Sequence, residues 1–243
     1  MAIDLIKLEK GQRINLEKSS GVKLTNFCVG CNWGAVERMQ RKEVVVSEGF
    51  LGFGKKTEWR NVKTIVDVDL DLSCLMFDSE GKPIDHIYSN LYRFADNGVG
   101  LPNGKHDSMD RALHHTGDDT RGDVDGDDGL DNEIITVDLS RVSSEINQIV
   151  FFLNIYNNEE YSGDFSGIPY ASIRMYEGTP TKVREVFAQY DVATKTECIG
   201  KRALVLGKLY KHNGDWKFAA IGDAHEDNSI VHTIVRVMKD YSK

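Results

Sequence analysis

This chain predicts a mainly β fold, an antiparallel β-sandwich with one C-terminal amphipathic helix, and three observations carry that expectation. Apolar and polar residues alternate at period two, in runs rich in Val, Ile, Phe and Tyr. Turn signals separate those runs at 79–83, 157–160, 178–180 and Asn213-Gly214-Asp215. Helical spacing is confined to one segment near the end. Strands are expected near 24–29, 64–69, 72–77, 84–89, 133–139, 148–156, 170–177, 184–191, 202–211 and 215–221. The last two flank Asn213-Gly214, a strong hairpin signal. Ile230, Ile234, Val237 or Met238, and Tyr241 then recur at helical spacing, with Asp227 or Asn228 placed to cap the helix and one face free to dock on a sheet.

Two segments interrupt the pattern, an insertion over 37–62 and a long acidic loop over 94–132. In the first, Gly49, Gly52 and Gly54 surround Phe50 and Phe53, without the Gly-Lys-Ser/Thr ending of a phosphate loop. Residues 1–243 read as a single domain: only four prolines occur, and no Ser/Gly-rich tract divides the chain. The run Ile149-Val150-Phe151-Phe152-Leu153 is far too short to span a bilayer. The first ten residues alternate charged and apolar types, unlike a signal peptide, so a cytoplasmic location is expected. An excess of acid argues against nucleic-acid binding, and the cluster Arg38, Arg41, Lys42, Lys55, Lys56, Arg60 and Lys63 reads as a solvated insertion. Cys28 and Cys31 form one Cys-x-x-Cys. Cys74 and Cys198 are too far apart to supply a second zinc-ribbon pair, so buried thiols in a reducing compartment are expected.

The most informative segment is acidic. Residues 107–133 hold ten acids and two bases, Arg111 and Arg121, a net of −8 that equals the formal charge of the whole chain. Carboxylates this crowded repel one another unless counter-charge is supplied. Asp-x-Asp alternation with interspersed glycine suits a hard divalent cation, which takes oxygen ligands from side chains and tightly turned backbone. It is not an EF-hand: counting from Asp123, Asp128 stands where glycine is needed and Ile134 where glutamate is needed. Asp67, Asp69 and Asp71 alternate with Val68, Leu70 and Leu72, so a strand would carry three carboxylates on one side and converge with the loop at one pole. A solvated, unstructured acidic stretch competes with this reading; glycine punctuation and clear flanking strands count against it. A divalent-metal-dependent phosphoester hydrolase is the alternative, with His86, His106, His114 and His115 nearby in sequence. No Gly-x-Ser-x-Gly elbow or Walker loop is present.

An ordered set of motifs resembles the TerD family of tellurium-resistance and general stress proteins. Gly11-Gln12-Arg13-Ile14-Asn15-Leu16 resembles its opening strand, and Val29-Gly30-Cys31-Asn32-Trp33 a family turn motif. Asp69-Leu70-Asp71-Leu72-Ser73, the acidic run 117–128, Glu133-Ile134-Ile135, Gly207-Lys208-Leu209-Tyr210 and Asp215-Trp216-Lys217-Phe218 follow in family order. The resemblance implies a calcium-binding sandwich without established catalysis. It also implies action with other tellurium-resistance operon proteins, including a membrane partner, and peripheral association at the inner face of the membrane. On that reading Ca2+ orders the acidic loop, which then presents a partner- or membrane-facing surface. The ligand oxygens are assigned to Asp69, Asp71, Asp118, Asp123, Asp125, Asp127 and Asp128, with Asp67, Asp119 and Glu133 next. Four residues, 129–132, separate the aspartate pair from Glu133 where the family pattern is contiguous, so Asp131 is a substitute for Glu133. Tellurite reduction by a Cys28/Cys31 dithiol is a further, minor expectation.

Overall fold

In the computed structural model, residues 6–17, 21–47, 54–156 and 161–243 are described. Their period-two segments form β1 (Ile6–Lys7), β2 (Arg13–Asn15), β3 (Asn26–Trp33), β4 (Val36–Ser47), β5 (Lys56–Val66), β6 (Leu70–Phe77) and β7 (Pro83–Ile87). Then come β8 (Leu113–His115), β9 (Glu133–Asp138), β10 (Gln148–Ile155), β11 (Ala171–Thr179), β12 (Lys182–Asp191), β13 (Ala203–His212) and β14 (Asp215–His225). One sheet has the order β1-β12-β11-β3-β9-β8 and the other β2-β14-β13-β10-β6-β7. Except for the parallel β1–β12 pair, their described ladders are antiparallel.

Alternation sorts the side chains. Val29, Ile135 and Ile173 of one sheet meet Leu72, Phe151 and Leu209 of the other in the inter-sheet core. The opposite parity of β6 and β10 points Leu75, Phe77, Val150 and Phe152 outward, onto a second core. Helix α1 (Ile230–Arg236) covers that face with Ile230, Ile234 and, in the π-helical turn Val237–Tyr241 that continues it, Val237. Ser229, not Asp227 or Asn228, stands at the cap position. Asp227 instead takes two hydrogen bonds from the Arg236 guanidinium, at 2.9 and 2.7 Å, a charge-assisted bidentate pair. Among the described residues, no helix is long and apolar enough to cross a membrane.

Several sequence boundaries shift for physical reasons. The hairpin at Asn213-Gly214 forms as expected, with φ of 52° and 84° at its two central residues, as a two-residue turn of the primed type requires. The strand expected to stop at Gly30 runs on to Trp33, and the one expected over 64–69 ends at Val66. Residues 37–62 are not an irregular loop. Their described part is a two-stranded ribbon, β4 against β5, in register from Val36↔Val66 to Ser47↔Lys56. Gly49, Phe50, Gly52 and Phe53, like the turn at 157–160, lie outside the described residues.

Ile234 is 2% and its neighbour Val235 50% exposed. Ile234→Ala is expected to cost about 2–5 kcal/mol, and Val235→Ala less than about 0.5 kcal/mol. Urea unfolding measures both.

Candidate metal centre

The acidic segment is built around Trp33. Its indole is fully buried and donates from Nε1 to the Val68 carbonyl at 2.8 Å. Its own N–H donates to Asn132 Oδ1 at 2.9 Å, and its carbonyl accepts the Asp123 N–H at 2.9 Å. Asp123 in turn accepts the Ala35 N–H on its carbonyl at 2.8 Å. One aromatic residue thus ties the end of β3 to the loop and to the link between β5 and β6. Gly122, at φ 72°, passes so close that a Cβ there would lie 2.4 Å from the indole.

Within this frame the carboxylates fall into two groups. Asp69, Asp118 and Glu133 come from three separate segments and offer oxygens within 4.8 Å of one another. Asp71 adjoins them and accepts the Tyr92 hydroxyl at 2.6 Å. Glu133 is 1% exposed and accepts the Leu72 N–H at 2.7 Å. Asp69 Oδ1 and Asp118 Oδ1 are buried with no hydrogen-bond partner. Burial, then the charges of Asp71 and Asp118, push the Asp69 carboxyl up to about 8. Burial, then the neighbouring carboxylates, raise Asp71 and Glu133 well above the ordinary range. The second group, Asp123, Asp127 and Asp128, is more open. Asn32 donates to Asp127 at 2.9 Å and Tyr170 to Asp123 at 2.9 Å.

The remaining assigned residues act otherwise. Asp119 accepts the backbone N–H groups of Arg121 and Gly122 at 2.9 and 3.0 Å, which shapes the turn. Asp67 pairs with Arg121 at 3.0 Å. Asp125 is exposed and joins neither group. Asp131, expected as a substitute for Glu133, lies outside the Asp69, Asp118 and Glu133 group. It pairs with Arg174 at 2.8 Å and lies against Gly30, where a Cβ would come within 2.1 Å of its carboxylate. Burial, opposed by Arg174, holds Asp131 up at about 6. Asn132, which spans Asp119 and Asp123 at 3.3 and 3.1 Å, was not expected from sequence. Neither were Tyr92, in an irregular segment, and Tyr170, which precedes β11 at the start of the strand expected over 170–177.

Of the four histidines singled out, His86, His114 and His115 are hydrogen-bonded, and His106 Nε2 is buried with no hydrogen-bond partner. Gly117 N–H donates to His115 Nδ1 at 3.0 Å, so the ring proton sits on Nε2, facing the Leu72 carbonyl at 3.1 Å and Glu133 at 3.3 Å. Burial pulls His115 down to about 4, leaving it neutral at pH 7. His86 meets the Asn103 carbonyl, His114 meets Asp107, and His106 stacks on His115. The converging donors are therefore carboxylate oxygens, a set suited to hard divalent cations such as Ca2+ or Mg2+. The cysteines are buried, and strand geometry weighs against a Cys28/Cys31 dithiol. Cys31 faces the inter-sheet core, whereas Cys28 points to the other face of β3 with Ile134 and Tyr176.

Comparison with known proteins agrees with this architecture. The TerD domain family model matches residues 4–236. Stress response protein SCP2 of Bacillus subtilis (strain 168) is 31% identical over 231 residues, covering 95% of this chain and 98% of that one. Tellurium resistance protein TerD of Serratia marcescens is 28% identical over 225 residues, covering 90% and 91%. The crystal structure of a homologue of telluride resistance protein (TerD) from Streptomyces coelicolor A3(2) superposes with a TM-score of 0.56 at 11% identity, over 90% of this chain and 98% of that one.

With Cys28, Cys31, Cys74 and Cys198 all buried, a thiol reagent is expected to react slowly with native protein and to count four thiols in denaturant. Rapid native reaction at two thiols would restore the dithiol.

Proposed function

The chain belongs to the TerD domain family, and from that membership and the carboxylate geometry we propose a non-enzymatic, Ca2+-binding stress-response protein of the tellurium-resistance type. One observation carries the cation: Asp69, Asp118 and Glu133 converge within 4.8 Å at the buried end of the sandwich. Three carboxylates drawn that close stay charged only beside a multivalent cation. Asp69, Asp118 and Glu133 hold the ion, with Asp71 beside them, and Asp123, Asp127 and Asp128 offer a second, weaker position. The cation supplies charge neutralisation. The protein supplies the frame: Trp33, Asn132 and the Asp119 turn hold the loop close to the β6 start.

Ion-free, Asp69, Asp71 and Glu133 take up protons or the loop opens, and the surface at this pole is lost. Loaded, the pole presents a surface to partner proteins of a tellurium-resistance operon, one of them membrane-bound, at the inner face of the membrane. The names of the relatives support the stress setting. His86 and His115 spend ring nitrogens on backbone groups, while His114, held by Asp107, and His106 are the imidazoles left for the hydrolase alternative to use.

Calorimetry on chelator-treated protein is expected to show saturable Ca2+ binding. At a hundredfold excess over Kd the fold gains about 2.7 kcal/mol, a rise in Tm of roughly 5–10 °C. Absence of Ca2+ binding would sink the reading, and Mg2+- or Mn2+-dependent cleavage of an aryl phosphate would put the hydrolase in its place. Replacing Asp69→Asn and Glu133→Gln together removes buried charge. This variant is expected to melt higher than wild type without the ion and to lose the Ca2+-induced rise.

The pH dependence has a defined sign. Asp69 titrates near 8 when folded against 3.8 ordinarily, so the ion-free fold binds the extra proton between these values and loses stability as pH rises through them. His115, folded near 4 against 6.5, acts oppositely and loses stability as pH falls below 6.5. The clean window is pH 6.5–8. There the ion-free Tm is expected to fall with pH, Ca2+ binding to tighten, and protons to be released on binding. A flat ion-free Tm across that window would contradict the buried-carboxylate account.

A further inference from the structure

The β4–β5 ribbon is absent from the cation reading, yet it is the most unusual surface of the molecule. Glu37–Glu43 and Lys56–Asn61 are exposed on consecutive positions, so both faces of the ribbon meet solvent. Two-stranded ribbons are marginal alone, and long unpaired edges are ordinarily protected. This one exposes large apolar side chains as well: Met39 is 67%, Trp59 61% and Val45 44% exposed. The register Met39↔Lys63, Arg41↔Asn61, Glu43↔Trp59 and Val45↔Thr57 puts all three on one face. The two acids there are satisfied within the arm, Glu43 by the Thr57 hydroxyl at 2.5 Å and Glu37 by Lys63.

The other face carries a conflict. Lys42 and Arg60 stand directly opposite each other, with Arg38 two pairs away on the same face; Glu58, next along that face, pairs with Arg60 at 3.2 Å and relieves part of the opposition. Like charges directly opposed destabilise a ladder unless an anion lies between them. Residues 37–63 hold seven bases and four acids, a net of +3, so the remainder of the −8 chain carries −11. Lys42 lies seven residues beyond Ala35, roughly 23 Å along an extended strand. The Debye length at physiological salt is about 8 Å, so the acidic pole is screened at that level.

We propose that the β4–β5 arm docks onto an anionic lipid bilayer. Trp59 sits in the interface with Arg41, Lys42 and Arg60 at the level of the lipid phosphates, while Met39 and Val45 enter the apolar boundary. Long basic side chains reach headgroups from either face by snorkelling. Charge complementarity favours a negative surface, and the exposed apolar stripe favours lipid over nucleic acid, whose backbone has no use for Met39 or Val45. A second arm carries the same +3 and is repelled. The proposal deepens the membrane-facing part of the function given above and does not depend on its cation.

The test is flotation of the full chain with vesicles of phosphatidylcholine and phosphatidylglycerol, at low salt and in chelator, with quenching by brominated lipid. Trp33 is buried and Trp216 packs against the core, so Trp59 is the tryptophan that lipid reaches. The expected result is binding and quenching that salt weakens and pure phosphatidylcholine vesicles do not support. The double variant Lys42→Glu/Arg60→Glu is expected to lower the partition coefficient at least about tenfold. Trp59→Ser is expected to lower it and remove the quench, with both variants melting like wild type. Asp118→Asn with Glu133→Gln keeps lipid binding even where it abolishes Ca2+ binding, which separates the two readings. Binding only with Ca2+ would overturn the proposal, since the acidic pole would then be the contact. So would unchanged binding by the arm variants, no binding at low salt, arm-dependent self-association without vesicles, or displacement from vesicles by an oligonucleotide bound through the arm.

Discussion

Carboxylates brought together at the buried end of a sandwich are the constraint on which this structure turns. Asp69, Asp118 and Glu133 arrive from the β5–β6 link, the acidic loop and the start of β9, and desolvation raises the Asp69 and Glu133 carboxyls. Nothing in their mutual repulsion would hold them there. The frame does, through backbone and amide donors aimed at the carboxylates and through Trp33, whose buried indole bonds the Val68 carbonyl while its backbone N–H bonds Asn132. The repulsion held in that frame is the free energy a bound cation relieves.

Acid density and ligand number are different quantities here. Asp119, Asp127 and Asp128 each accept a backbone N–H two residues ahead, the Asx pattern that lets a short loop satisfy its own donors. Asp67 and Asp131 pair with Arg121 and Arg174. Much of the acidic run is therefore spent on folding the loop, and only a subset converges on the buried position. The same economy places Gly30 and Gly122 against Asp131 and Trp33, where any side chain would collide.

The arm and the pole share their roots. Gly34 bridges Asp123 just before β4 begins, and β5 leads through Asp67 and Val68 into Asp69. A ribbon with net positive charge thus springs from the most acidic part of the chain. Occupancy of the pole and orientation of the arm are mechanically adjacent, although each rests on its own set of contacts.

Local chemistry was sufficient for much of this. Period-two alternation marked nine strands of the sandwich, Asn213-Gly214 marked its hairpin, and the spacing of Ile230, Ile234 and Val237 marked the docked helix, because each depends on neighbours within a few residues. The acidic run announced a charge problem for the same reason. What sequence could not decide was which carboxylates meet. Glu133 and Asp131 are two residues apart, yet one points into the inter-sheet end and the other onto Arg174 behind Gly30, a choice made by the chain's turn into β9. Cys28 and Cys31 look like a pair on paper and lie on opposite faces of β3. The insertion over 37–62 gave no strand signal of its own because both faces of a protruding ribbon are wet, which erases the apolar alternation that reveals a strand. Periodicity reports burial of one face, so the sequence by itself determined the elements that pack; convergence of distant segments and exposure of the arm were decided only in three dimensions.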